Sequence, residues 1–269
     1  MNVISFDLAG DFALFKKNDA NAMVYISYNF IHKPVLLGIL GAIIGLSGYS
    51  RNKPGKHPVY YDELKEIKIA VMPHYQKPLK KVITGFNNAS GLASSNTKKP
   101  PEGQPWQIKE QALVGEPEIR YTVFLLDNGT VPNKLKDRLS RGESEYPLYF
   151  GKNEFFAYFD RVREYNAVEL FKGVTCFNSL IRLGERDNEH EGDIKFQETT
   201  FENFDPFDLG KNDGYTIYEY LPYEFDASGF YKKDLFVFTE RKMVVRRAGG
   251  FFSLTDKADE EGPFNVQFI

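Results

Sequence analysis

The sequence predicts an α+β fold: a βαββαβ unit with a long inserted hairpin, followed by a smaller β-rich part. Three observations lead there. Short segments of alternating character recur along the chain. Two helix-like segments fall between them where a βαββαβ order needs its helices. A polar stretch at 88–105 interrupts two strand-like segments.

The elements follow in order. "NVISFDLA" (2–9) alternates and reads as a first strand, and "AMVYISYNF" (22–30) as a second extended segment. "KPVLLGILGAIIGL" (33–46) is the most apolar stretch. Pro34 suits a first helical turn, and Leu36, Leu37, Leu40, Ile43 and Ile44 share a stripe, so 34–46 reads as a buried helix. It falls short of the ~20 residues a membrane span needs. Gly38, Gly41 and Gly45 lie inside the helix rather than between a strand and a helix, so they are not a dinucleotide fingerprint. They suit a face on which a sheet or a ligand backbone approaches closely.

"SGYSRNKPGKHP" (47–58) reads as a basic loop. Strands follow at 66–73 and 79–87, then the polar 88–105, then strands at 106–113 and 119–126. Asn128-Gly129 makes a turn, and 131–142 reads as a short helix stopped at Gly142. Residues 146–162 form a turn into another strand. This order suits a ferredoxin-like domain over 1–162. Beyond it, 174–183, 215–225, 234–245 and 262–269 read as strands of a β-rich part over 163–269.

Composition narrows the function. The 269 residues hold one cysteine, Cys176, which excludes an internal disulfide and points to a reducing compartment. Four scattered histidines supply no zinc-ligand spacing, and no calcium-loop pattern is present, so no metal or other cofactor is expected. The net charge is −3, but residues 1–110 carry 14 basic against 8 acidic side chains and residues 111–269 carry 20 against 29. That asymmetry suggests a basic face for an anionic partner and an acidic region, densest at 185–226, turned elsewhere or simply solvated.

The polar tip at 88–105 needs a reason, since a long structureless loop in a compact domain is usually functional or disordered. Lys80, Lys81, Lys98 and Lys99 bracket it, and Phe86 and Trp106 stand on its two arms. Those aromatics suit base stacking or plain packing of the hairpin base.

Four stretches resemble a known family. "VISFDLAGDFALFKK" (3–17) is similar to an opening strand followed by a Phe-Ala-x-Phe-basic signature. "HKPVLLGILGAIIGL" (32–46) is similar to a glycine-studded first helix, and "QALVGEPEIRYTVFL" (111–125) to the strand after a thumb hairpin. "YPLYFGKNEFFA" (146–157) is similar to a Pro-x-x-x-Gly-basic-x-glutamate turn. In this order they resemble the CRISPR-associated protein 5 family of the RAMP superfamily, closest to the type I-B branch.

The resemblance implies an RRM/RAMP-type ferredoxin-like domain whose thumb, here about 76–112, crosses the RNA. It implies a non-catalytic subunit of a prokaryotic, cytoplasmic Cascade complex in antiviral defence. That subunit holds the 5′ handle of the CRISPR RNA, caps the backbone subunits and docks the large PAM-recognising subunit. Target DNA is met only indirectly, through guide pairing; no membrane partner is implied. The glycine helix would then lie close to the sheet or to RNA. Lys16, Lys17, Arg51 and Lys53 are candidates for phosphate contact, with solvated charge as the alternative. Lys80, Lys81, Lys98 and Lys99 belong to the thumb, and Asn87 and Asn88 suit base-edge reading or turn formation. Gly151, Lys152 and Asn153 suit a backbone loop approaching the handle, or an ordinary left-handed turn.

Type I-C members cut precursor RNA themselves, without metal, using tyrosine, lysine and histidine. Here Lys56-His57, with Tyr49, Tyr60 and Tyr61, is the adjacent Lys-His pair, and it precedes the thumb instead of following it. The expectation is therefore a binder, with the endoribonuclease as the alternative. A generic RRM-type protein would need an aromatic pair on adjacent central strands, a pattern that "VISFDL" and "IRYTVFLL" do not follow.

Overall fold

The computed structural model describes residues 1–18, 24–48, 57–88, 106–170, 173–183, 194–196, 215–245, 250–258, 260 and 262–269. In chain order the elements are β1 (Asn2–Ala13), β2 (Val24–Tyr25), α1 (Lys33–Ile44), α2 (Val59–Leu64), β3 (Lys68–Pro73), β4 (Lys80–Asn88), β5 (Trp106–Asp127), α3 (Asn133–Arg141), β6 (Leu148–Tyr149) and β7 (Phe156–Glu169). There follow β8 (Gly173–Thr175), β9 (Ile181–Arg182), β10 (Ile194–Phe196), β11 (Thr216–Phe225), β12 (Tyr231–Thr239), β13 (Met243–Val245), β14 (Phe251–Asp256) and β15 (Phe264–Gln267). The fold is a sheet-rich α+β arrangement.

The main sheet runs β15-β14-β7-β1-β5-β2, with β3 and β4 also on β5 and β6 on β7. β1 lies between β7 and β5, antiparallel to both. β3 pairs with β5, also antiparallel. Both faces of β1 are covered. Phe6 and Leu8 join a core with α1, α3 and β11–β12, whereas Val3 joins a second core with Phe124, Tyr165 and residues of β14 and β15. This is why a strand that reads as half-polar buries Ser5 and Asp7 as well.

α1 begins behind His32 with Pro34 in its first turn and stops at Gly45, whose φ of 80° makes a left-handed cap. Leu36, Leu37, Leu40 and Ile43 are fully buried on the sheet. The glycines face elsewhere than expected. A Cβ at Gly41 would lie 2.5 Å from Tyr60 Cβ, and one at Gly38 3.7 Å from that ring. They admit α2, a helix inside a stretch that the sequence does not mark out, rather than the sheet. Among the described residues no helix is long and apolar enough to cross a membrane.

Other expectations are corrected. The strands expected at 106–113 and 119–126 are one strand, β5. Its register against β1 jumps from Gly10↔Ile119 to Phe12↔Val114, so residues 115–118 bulge out without ending the strand. The N-terminal half of β5 pairs with β4, β2 and the end of β1, the C-terminal half with the rest of β1 and with β3. The segment 174–183 is two short strands, because Asn178 and Ser179 turn aside to bond Asn265 and Gln267 of β15. The segment 234–245 breaks between β12 and β13, where Thr239 Oγ1 accepts the Arg241 N–H. β14 has no counterpart in the sequence reading. The boundary at 162/163 falls inside β7, and β14 and β15 extend the sheet of β1.

Candidate nucleic-acid interface

Three pieces of chain meet at the base of the β4–β5 hairpin. The first is the end of β1 and the residues after it. Lys16 forms an isolated bridge with Ser27, and Lys17 N–H donates to the Ile26 carbonyl. Lys16 Nζ stands 3.5 Å above the Tyr25 ring. Lys17 Nζ lies 3.0 Å from Glu219 Oε1 and 4.9 Å from the Tyr28 ring centre. Glu219, a nearly buried residue of β11, also accepts the backbone N–H of Asn29 at 2.7 Å and its side-chain amide at 3.0 Å.

The second piece is the hairpin. Residues that face one another across an antiparallel pair share a face. Thr84↔Glu110 and Phe86↔Ile108 therefore lie on one face, and Lys81↔Leu113 on the other. Burial pushes the Lys81 ammonium pKa down; Glu219 pulls it back up and Lys17 pushes it down again. Lys81, Lys17 and Glu219 therefore share one electrostatic neighbourhood. Lys80 pairs loosely with Glu116 at 3.8 Å, both side chains in solvent, an arrangement of little energetic weight.

The third piece is the turn between β6 and β7. The Leu14 N–H donates to the Phe150 carbonyl, the Phe150 N–H to Phe155, and the Phe155 N–H to Lys152. Gly151 has φ 79°, and a Cβ there would collide with the Leu14 carbonyl, so both the turn and its contact with β1 require glycine. The turn aims Lys152 at the hairpin. Its Nζ lies 2.6 Å from Glu110 Oε1, 4.4 Å from the Phe86 ring centre and 5.4 Å from that of Phe155. Phe155 packs on Phe12 at 5.7 Å.

Of the predicted residues, Lys16, Lys17, Lys81, Gly151 and Lys152 all border the hairpin base, but on two faces: Lys152 on that of Glu110 and Phe86, and Lys81, coupled to Lys17, on the other. Asn87 is exposed at the far end of β4, and Asn88 pairs through its backbone with Trp106. Asn153 faces an open groove of about 960 Å³ beside α1, with Tyr149 and Phe156. Arg51, Lys53, Lys98 and Lys99 lie outside the described residues, as do Tyr49, Lys56 and the acidic 185–193. Sequence reasoning missed Glu110 and Glu219, the two carboxylates that hold Lys152 and Lys17. Glu110 had a signal: Ile108, Ala112 and Val114 share its face by period-two alternation.

His57 sits in a different setting. Its Nε2 is 2.7 Å from the Asp226 carbonyl and its Nδ1 3.6 Å from Asp62, with the ring stacked on Phe225. The outer face of the central strands is also occupied. Arg120 is gripped by Asp7, Glu118 and Asp160 at 3.1, 2.8 and 2.6 Å, and Thr122 Oγ1 donates to Asp7. Its pKa is driven up, first by the hydrogen bond to Asp160. Phe124 on the same face is buried against Tyr165 and Phe264, so it offers no stacking platform.

Residues 3–178 match the family model described as CRISPR-associated protein (Cas_Cas5). The chain belongs to the CRISPR-associated Cas5 family. No curated protein matches it. Among solved structures, this Cas5-family chain is similar to a CRISPR protein from Archaeoglobus fulgidus, with 12% identity and a TM-score of 0.49 over 99% of this chain and 98% of that one. It is also similar to a chain of a CRISPR RNA-guided surveillance complex, with 14% identity and a TM-score of 0.45 over 97% and 94% of the two chains. A chain of a type III-B Cmr-beta complex bound to cognate target RNA and AMPPnP has 13% identity and a TM-score of 0.42, over 91% and 86%.

Proposed function

We propose that this Cas5-family protein is a non-catalytic CRISPR RNA-binding subunit of a type I Cascade effector complex. It holds the 5′ handle, and it bridges the backbone subunits to the large PAM-recognising subunit. The observation that carries the reading is the pair of cations left uncommitted, among the described residues, at the hairpin base: Lys16 over the half-buried Tyr25 ring and Lys81 on β4, beside the exposed Phe86 ring. Single-stranded RNA is bound in this way, with phosphates on cations and splayed bases on ring faces. The strand order β7-β1-β5-β3, with α1 and α3 as crossovers, supports a ferredoxin-like core. The β4–β5 hairpin is then the thumb. The engaged ring nitrogens of His57 support a binder over a nuclease.

The test is to co-express the chain with its genomic neighbours and a repeat–spacer RNA, purify on a tag carried here, and sequence the bound RNA. A uniform repeat-derived 5′ end in a multi-subunit complex is expected. Lys16→Glu with Lys81→Glu should weaken RNA binding and lower the salt slope by ~0.7 for each phosphate no longer neutralised. RNA without a defined end, or metal-independent cleavage of repeat RNA by the purified chain, overturns the reading.

A further inference from the structure

The β4–β5 hairpin has little to stand on. Among the described residues β4 pairs only with β5, and Lys80–Asn87 are all exposed. A two-stranded ribbon is at best marginally stable by itself, and here only the short pairings of β2 with Lys109 and Glu110 and of β1 with Leu113 and Val114 brace it through β5. Something must set the hairpin's angle to the body if it is to cross an RNA at a fixed place.

Among the described residues, a polar tie reaches both arms of the hairpin from outside. Lys152 Nζ meets Glu110 Oε1 on β5 at 2.6 Å and lies over the Phe86 ring on β4 at 4.4 Å. Glu110 is 3% exposed. It also accepts from Thr84 Oγ1 on β4 at 3.5 Å, and its backbone lies opposite Tyr25 of β2. Strands β2, β5 and β4 thus meet at this carboxylate. The far side of the tie is equally fixed: Leu14 and Phe150 bond backbone to backbone, and Gly151 seats the turn on the Leu14 carbonyl.

We propose that Lys152 and Glu110 are positioning residues, a latch that sets the thumb angle, and that Lys152 does not itself bind phosphate. The inference rests on the RNA-binding reading above for its consequence, though not for its geometry. A buried carboxylate must keep its cation, because removing one partner strands the other. The charge of Lys152 is therefore committed to Glu110 and is not available to RNA.

The two roles predict opposite results at Glu110. If the pair is a latch, Glu110→Gln weakens RNA binding even though it removes a negative charge from a basic interface. If Lys152 is a phosphate ligand that Glu110 merely offsets, Glu110→Gln tightens binding. The experiment has two arms, each with wild type, Glu110→Gln and Lys152→Met. In the RNA-free full chain, hydrogen exchange of the β4 amides is followed against those of β1. Both variants should speed β4 exchange by at least about tenfold, the equivalent of one charge-assisted hydrogen bond, and leave β1 unchanged. In the reconstituted complex, handle-RNA affinity is measured against salt. Both variants should lose affinity with the salt slope unchanged. Unchanged β4 exchange overturns the latch, as does a Lys152→Met slope shallower by ~0.7. If wild type binds no handle RNA, the functional reading fails while the exchange arm still decides the latch. Glu110→Gln keeps shape and an acceptor, so the test stands if Lys152→Met does not fold.

Discussion

His32 offers a direct test of how this core is built. It stands just ahead of α1 and is 3% exposed, its ring between Tyr28 and Tyr231 at centre distances of 5.3 and 5.4 Å. Burial lowers its pKa from 6.5 to about 3, and the Lys233 ammonium pushes in the same direction. An unfolded chain takes up the proton near 6.5, whereas the native one does not. Stability from this group is thus complete above pH 6.5 and falls with acid by about 1.4 kcal/mol per pH unit. Between pH 6.5 and pH 5 the loss is about 2 kcal/mol. The assay is urea unfolding of wild type and His32→Gln across this range, where most carboxylates remain ionised. The neutral glutamine should cost stability at pH 7, and the gap between the two proteins should narrow by about 2 kcal/mol at pH 5. Parallel curves would mean that His32 protonates freely in the native state, and the buried-neutral argument would fail.

The packing of α2 on α1 and the carboxylate of Glu219 give two further outcomes. Gly41→Ala should destabilise by about 1 kcal/mol net, since overpacking against Tyr60 costs about 1–3 kcal/mol and helix propensity returns about 1. Gly38→Ala, with ordinary clearance, should be neutral or stabilising; the reverse order in thermal unfolding would contradict the packing of α2 on α1. Glu219→Ala removes the acceptor for the Asn29 N–H and for Lys17, and should lower stability by about 1–3 kcal/mol in urea titration, beyond any effect on RNA.

Local chemistry made part of this fold readable. Pro34 opens α1, Gly142 ends α3, and alternation marks β1 and β3, whereas Gly45, read as inside the helix, is its left-handed cap. What escaped depends on distant chain. "VGEPE" looks like a strand break, yet β1 continues alongside and turns it into a bulge. α2 is six residues long, too short for a periodic pattern, and exists because Gly38 and Gly41 leave room for Tyr60. At the candidate site, the lysines announced themselves by charge. Glu219 did not, because it lies about two hundred positions from Lys17, and Glu110 showed itself only as the one acid on the apolar face of Ile108, Ala112 and Val114, with nothing to name Lys152 as its partner.

The way β14 and β15 join the sheet of β1 has a consequence for biogenesis. The central strand is made well before its cover, because the second core waits for residues 252–268. Ile69 exchanges backbone hydrogen bonds with Ile269, and the Met1 amine donates to the Ala167 carbonyl. Such long sequence separations slow folding and leave nascent β1, β5 and β7 without their cover until β14 and β15 have been made. A chain stopped where the family match ends, at 178, would keep the lysines of the hairpin base and still expose Val3, Phe124 and Tyr165. Any attempt to isolate an RNA-binding fragment from the first part alone should meet aggregation before it meets RNA.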